Sequence, residues 1–132
     1  MLVHSDIFYS TLFTDHNTNR AKGVACTDTL YGITGIINEM LVYSDKNTVE
    51  LLSALSSNIP AGNISGLLTR AGVRVDYLSW DVDKRNVKAD LTALRDTSFN
   101  LVLNNKAYIG EENESKCVAV QLKKGERYCF MG

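Results

Sequence analysis

Hydrophobic residues recur at the spacing of an α-helix in several segments of the first two-thirds of the chain. The longest segment begins near Asp28, a favourable N-cap residue, and continues to about Tyr43. We expect it to be the central core helix. Its predicted apolar face consists of Leu30, Ile33, Ile37, Met40 and Leu41.

Three shorter helices are predicted where a capping residue precedes apolar residues at the same spacing. Asn47 and Glu50 match a capping box, Asn63 can cap the second helix, and Asn86 or Asp83 can cap the third. The expected inward-facing residues are Val49, Leu52 and Leu55, then Ile64, Leu67 and Leu68, and finally Val87, Leu91 and Leu94.

Alternation of apolar and polar residues predicts strands elsewhere. Val73, Val75 and Tyr77 alternate with polar residues, as do Phe99, Leu101 and Leu103. The segment from Ile7 to Phe13 fits a strand or a short helix capped by Ser5. Two hairpins are predicted near the C-terminus. The first turns at Asn104-Asn105 and places Leu101 opposite Tyr108, and the second joins Cys117–Leu122 to Arg127–Met131 through Lys124-Gly125.

These segments together predict one α+β domain spanning residues 1–132. Its helices, in the first two-thirds, would pack on a C-terminal antiparallel β-sheet. The 132 residues include 45% hydrophobic and 22% charged residues, as expected for a single globular domain. The three cysteines, Cys26, Cys117 and Cys129, form no C-x-x-C pair, and their odd number argues against a disulfide framework. In the predicted second hairpin Cys117 and Cys129 face opposite sides of the sheet, so we expect free thiols.

Charge and hydropathy narrow the classes of partner. Fourteen basic residues balance fifteen acidic ones, giving a net charge of −1, which disfavours a nucleic-acid partner. No apolar run reaches the roughly 18 residues of a membrane span. The N-terminal residues do not resemble a signal peptide, so with Met1 as the native start we expect a cytoplasmic protein.

Motifs that carry chemistry are weak in this sequence. Asp81 and Asp83 form a D-x-D beside Trp80, which could bind a metal or a planar ligand. The two histidines, His4 and His16, lack the spacing of a metal site, and no P-loop, nucleophile elbow or zinc-protease motif is present. We therefore predict no catalytic residue, metal or cofactor, and the sequence leans against an enzyme.

The leading functional hypothesis is a non-enzymatic protein-binding domain of the inhibitor, immunity or adaptor type. It would act through a protein partner or as its own homodimer, with two clusters of opposite charge as contacts. Those clusters are Glu111, Glu112 and Glu114, and Lys123, Lys124 and Arg127. One alternative is a small-ligand or metal-binding module near Trp80, Asp81 and Asp83. Another is a structural domain of a secreted fibre or virion.

Overall fold

The computed structural model describes residues 13–14, 24–25, 27–103 and 116–132, with side chains from residue 32 onward. The chain divides into two units, Met1–Ile37 and Asn38–Gly132. The first unit contains the short antiparallel pair β1 (Phe13–Thr14) and β2 (Val24–Ala25). The helix α1 (Thr27–Leu41) begins in the first unit and ends in the second.

The second unit consists mainly of β-strands. Nine strands are described there: β3 (Val42–Ser44), β4 (Thr48–Leu51), β5 (Ala61–Ile64), β6 (Leu67–Leu68), β7 (Val73–Asp81), β8 (Asn86–Ala93), β9 (Thr97–Leu103), β10 (Lys116–Leu122) and β11 (Arg127–Met131).

The nine strands form two sheets. One has four strands in the order β10-β9-β4-β3, and the other has the order β11-β8-β7-β5, with β6 also paired to β7. The β4–β9 pair is parallel, with Val49 opposite Leu101, and the other described pairs are antiparallel. The first sheet thus combines both kinds of pairing.

Apolar side chains from both sheets meet in one core, which makes the second unit a two-layer β-sandwich. Buried residues alternate with accessible ones along β8 and β9, as the pleat requires. The largest completely buried side chains are Leu51, Leu52, Leu78, Leu91, Leu101, Leu103, Val49, Val73, Val75 and Val87.

The predicted α+β class is wrong, because the described part of the chain is mostly β-sheet with one helix. The strands at β7 and β9 are confirmed, and a helix is confirmed at α1. Its place as the central core helix is wrong: Ile37, on the predicted inward face, is 46% exposed, and Leu41 is the one buried residue among the described side chains of α1. The three shorter helices are wrong, since those segments form β4, then β5 and β6, and finally β8. In β8 the buried residues are Val87, Ala89, Leu91 and Ala93, a spacing of two rather than the helical spacing.

The predicted second hairpin is wrong as well. Its two strands lie in different sheets, where β10 pairs with β9 and β11 pairs with β8. The first predicted hairpin placed Leu101 opposite Tyr108. In the structure, Leu101 is paired with Val118 on one side and Val49 on the other. The turn at Asn104-Asn105 and most of the segment from Ile7 to Phe13 lie outside the described residues. Among the described helices, none has the length and apolar character of a membrane span.

Candidate functional site

The outer side of the five-stranded sheet is rich in charge. Its strand residues alternate between the core and the outside, and the outward positions carry both signs. We refer to this side as the charged face, defined by Arg74, Asp76, Asp81, Lys88, Asp90 and Arg127.

A β-bulge interrupts the charged face in the middle of β7. Val75 lies opposite Leu91 and Tyr77 lies opposite Asp90, so Asp76 is an extra residue in β7. Asp76 and Tyr77 are both partly accessible, whereas Val75 and Leu78 on either side are completely buried. The bulge therefore places a carboxylate and an aromatic ring side by side on the outer surface.

The Asp76 carboxylate is held from two sides. It accepts a hydrogen bond from the Thr92 hydroxyl on β8 and a second one, 2.5 Å long, from Arg74 Nε. The Thr92 hydrogen bond lowers the pKa of Asp76 most, and the charge of Arg74 lowers it further. Asp76 is thus a fixed, ionised acceptor at neutral pH.

A groove of about 610 Å³ lies over the bulge. Asp90, in its wall, forms an ion pair of 3.5 Å with Lys88. A hydrogen bond to Asp90 raises the pKa of the Cys129 thiol, which keeps this thiol protonated. The groove combines an aromatic ring, two carboxylates and a guanidinium, and its lining residues are Asp76, Tyr77, Asp90, Leu91, Arg127, Tyr128 and Cys129.

The structure separates Trp80 from the two aspartates that follow it in sequence. Trp80 is only 6% exposed, and its indole N–H donates a 3.2 Å hydrogen bond to the Ile59 carbonyl. Its ring faces Gly62 in the sheet interior and offers no open surface for stacking.

Asp81 and Asp83 lie in different surroundings. Asp81 faces outward and forms a 2.8 Å ion pair with Lys84, whose hydrogen bond lowers the pKa of Asp81. Asp83 is exposed in the loop after β7. Within the described residues, no group of three or more His, Cys, Asp or Glu side chains could hold a metal ion.

The predicted basic cluster is divided between two places. Lys123 and Lys124 lie in the connection from β10 to β11, where the Glu126 and Asp96 carboxylates accept their backbone N–H groups at 2.7 and 2.8 Å. Arg127 lies on β11 and lines the groove. The acidic cluster of Glu111, Glu112 and Glu114 lies outside the described residues.

The outer side of β9 and β10 differs sharply from the charged face. Three cross-strand pairs point outward there, and none of their members is charged. We refer to this surface as the neutral face, formed by the pairs Ser98 with Gln121, Asn100 with Ala119, and Val102 with Cys117.

Sequence reasoning missed both the groove and the neutral face. Asp76 and Tyr77 were expected on opposite sides of a regular strand, and only the pairing of β7 with β8 reveals the bulge. The neutral face depends on β10 pairing with β9 rather than with β11. A β-bulge and a choice of strand partner are both non-local properties, so neither leaves a reliable signal in a single segment.

Comparison with known proteins assigns this sandwich to a family. Residues 43–132 match the glycoside hydrolase family 95, C-terminal domain. No curated protein matches the chain. The family match overturns the prediction of a free-standing inhibitor, immunity protein or adaptor, and it gives no support to the ligand-module or fibre alternatives. Because the match covers more than half of the sequence, this chain belongs to the family of glycoside hydrolase family 95 C-terminal domains.

Proposed function

We propose that this chain is the accessory β-sandwich of a glycoside hydrolase and supports the catalytic part of that enzyme without cleaving glycosidic bonds itself. The observation that carries the proposal is the family match, which begins in β3 and includes every later strand. The matched region is therefore nearly the whole sandwich rather than a fragment of it.

The carboxylates of the groove are poorly suited to glycoside hydrolysis. Most glycosidases need two carboxyl groups beside the scissile bond, one of them a general acid with a raised pKa. Asp76 and Asp90 share one groove, but the Thr92 and Arg74 contacts lower the pKa of Asp76. Asp90 is paired with Lys88. This arrangement favours accepting hydrogen bonds over delivering a proton.

The neutral face is the surface best suited to contact the catalytic part. The cores of protein interfaces are depleted in charged residues, because an unpaired charge loses hydration when it is buried there. The neutral face on β9 and β10 has no charged residue, and Glu50 on the adjacent β4 is a single charge beside Val102. The outward strand positions of the other sheet carry six charged residues. Lys123 and Lys124 follow β10 directly and would lie at the rim, where charge mainly affects the association rate.

The proposal can be tested by supplying the chain in trans. The 132-residue chain is mixed with the catalytic region of a family 95 glycoside hydrolase that lacks its own C-terminal domain. We expect the chain alone to hydrolyse no aryl glycoside, to co-elute with the catalytic region in size-exclusion chromatography, and to lengthen the half-life of its thermal inactivation.

A charged residue placed in the neutral face should abolish this association. Ala119→Arg is the test variant, and Asn63→Arg, at an exposed position on β5 in the other sheet, is the matched control. Hydrolysis by the isolated chain would contradict the accessory role. Equal association of both variants would remove the neutral face from the proposal.

A further inference from the structure

We propose that Glu50 is a charged anchor of the interface with the catalytic part, and that an arginine of the catalytic part binds it. The inference rests on the proposed function and deepens it. It adds a residue that determines specificity, and it names the chemistry that the partner must present to this residue.

Glu50 lies on the same side of the four-stranded sheet as the neutral face. It is an outward residue of β4, and its cross-strand neighbours are Tyr43 on β3 and Val102 on β9. Val102 belongs to the neutral face, where it is paired with Cys117. Because neighbouring strands are about 4.8 Å apart, a partner that covers Val102 also reaches Glu50.

The carboxylate of Glu50 needs a counter-charge once it is covered. Its side chain is partly buried, and none of the ion pairs among the described residues includes it. The carboxylate can be hydrated while this side of the sheet is open. An interface removes that hydration, and a buried carboxylate without a cation is strongly destabilising. The interface is therefore stable only if the partner supplies a positive charge beside Glu50.

This requirement disfavours a second copy of the chain docked through the same side. The outward positions of the described strands β3, β4, β9 and β10 carry no basic residue. A second copy would bring another Glu50 toward the first, and like charges in an interface repel each other. The catalytic part is a different surface that can carry the cation, so it is the occupant that the charge favours.

The ring of Tyr43 indicates arginine rather than lysine as that cation. Tyr43 is 42% exposed and lies directly opposite Glu50, so one side chain of the partner can contact both residues. A guanidinium group is planar, binds a carboxylate through two parallel hydrogen bonds and stacks on an aromatic ring. Arginine and tyrosine are also enriched among the residues that contribute most of the binding energy at interfaces.

The experiment measures the affinity of the 132-residue chain for the catalytic region of a family 95 glycoside hydrolase that lacks its own C-terminal domain. Isothermal titration calorimetry gives the dissociation constant. Glu50→Gln keeps the shape of the side chain and removes its charge. We expect it to weaken binding about thirtyfold or more, because the arginine of the partner would be buried without its counter-charge.

Asp83→Asn is the matched control for Glu50→Gln. It is the same change from acid to amide, at an exposed carboxylate in the loop after β7, a strand of the other sheet. It changes the net charge equally, so it should leave the affinity unchanged if the contact is local. The urea midpoints of both isolated variants should equal that of the unaltered chain, which establishes that both are folded.

Two tyrosine variants test the identity of the cation. Tyr43→Phe keeps the aromatic ring and should bind like the unaltered chain. Tyr43→Leu keeps an apolar side chain without the ring, and we expect it to weaken binding about fivefold. An unchanged affinity of Tyr43→Leu would contradict the stacked arginine.

The inference would be overturned if Glu50→Gln bound as tightly as the unaltered chain, or if Asp83→Asn lost the same affinity. Self-association of the chain that Glu50→Gln strengthens would identify a second copy as the occupant. Failure here is distinguishable from failure of the proposed function. If Ala119→Arg abolishes association and Glu50→Gln does not weaken it, the accessory role stands without the charged contact. If the unaltered chain does not associate, both proposals fail.

Discussion

Gly62 is a position in β5 at which a side chain has no room. A Cβ atom added there would lie 2.6 Å from Trp80 Cζ2 and 3.0 Å from Cη2. Trp80 cannot easily move, because it is buried and its N–H is bonded to Ile59. We expect Gly62→Ala to lower the free energy of unfolding by about 2 kcal/mol, measured by urea denaturation.

The same substitution in α1 is the matched control for Gly62. No atom lies within 4 Å of a Cβ added to Gly35, which is exposed in the helix. Alanine is the better helix former, so Gly35→Ala should leave stability unchanged or raise it by up to about 1 kcal/mol. Equal losses in the two variants would mean that the Trp80 contact is not the cause.

Asp76 gives the sandwich a pH dependence whose sign follows from its contacts. The pKa of Asp76 is lowered from 3.8, so its contribution is fully present above the unfolded-state pKa and is lost as pH falls through the folded-state pKa. We expect Asp76→Asn to reduce stability by about 1–2 kcal/mol at neutral pH, with the difference from wild type shrinking below about pH 4.

Asp83→Asn serves as the control for this pH dependence. Asp83 is an aspartate like Asp76, but it follows β7, and its side chain is exposed in the loop. Its substitution should change stability by less than about 0.5 kcal/mol at any pH. Thermal unfolding at a series of pH values measures both variants, and a constant deficit for Asp76→Asn would contradict the ionisation argument.

At the scale of an element, the turn between β7 and β8 is held in an unfavourable conformation. Arg85 has a φ of 49°, in the left-handed region, and its N–H donates to the Val82 carbonyl at 3.1 Å. Glycine adopts this conformation without a Cβ clash. We expect Arg85→Gly to raise the free energy of unfolding by up to about 1 kcal/mol.

Asp83→Gly tests the same turn without relieving strain. Asp83 lies in the same loop, and it is not among the described residues with positive φ. Its replacement adds only flexibility to the unfolded chain, so stability should fall by about 0.5 kcal/mol. Chemical denaturation measures both variants. If both change the free energy of unfolding in the same direction, the positive φ of Arg85 does not lower the stability of the turn.

The elements that could be predicted from sequence are those with one dominant period. The helix at α1, the alternation in β7 as far as the bulge and the alternation in β9 are confirmed, although the apolar face of α1 is not buried. In β8, Val87 and Leu91 fit either period, and the alternation is completed by Ala89 and Ala93. Alanine is small and more common in helices than in strands, so this pattern indicated a helix. The segment forms a strand instead, because its alternate residues are buried against the opposite sheet.

At the scale of the whole molecule, the path of the chain between the two sheets explains why Cys117 and Cys129 form no disulfide with each other. Cys117 and Cys129 are confirmed as free thiols. The expected reason was that they face opposite sides of one hairpin. They are instead on β10 and β11, which belong to different sheets. A correct outcome for these two residues thus came from a wrong topology.

At the same scale, we expect deletion of the last six residues to destabilise the protein more than deletion of the first 37. Among the described residues, the buried core extends from Leu41 to Phe130, all within the second unit. A chain that begins at residue 38 should therefore keep a cooperative unfolding transition. Removing only residues 127–132 deletes β11, which exposes one edge of β8 and removes the buried ring of Phe130.

We expect the six-residue deletion to cost at least about 3 kcal/mol, the loss typical for a buried aromatic side chain, and to expose an unpaired strand edge. The comparison needs urea denaturation and size-exclusion chromatography of both truncated proteins. Cooperative unfolding after the long deletion, with loss or aggregation after the short one, would locate the stability in the sandwich. The reverse order would mean that residues 1–37 are required for the sandwich to fold, whereas β11 is dispensable.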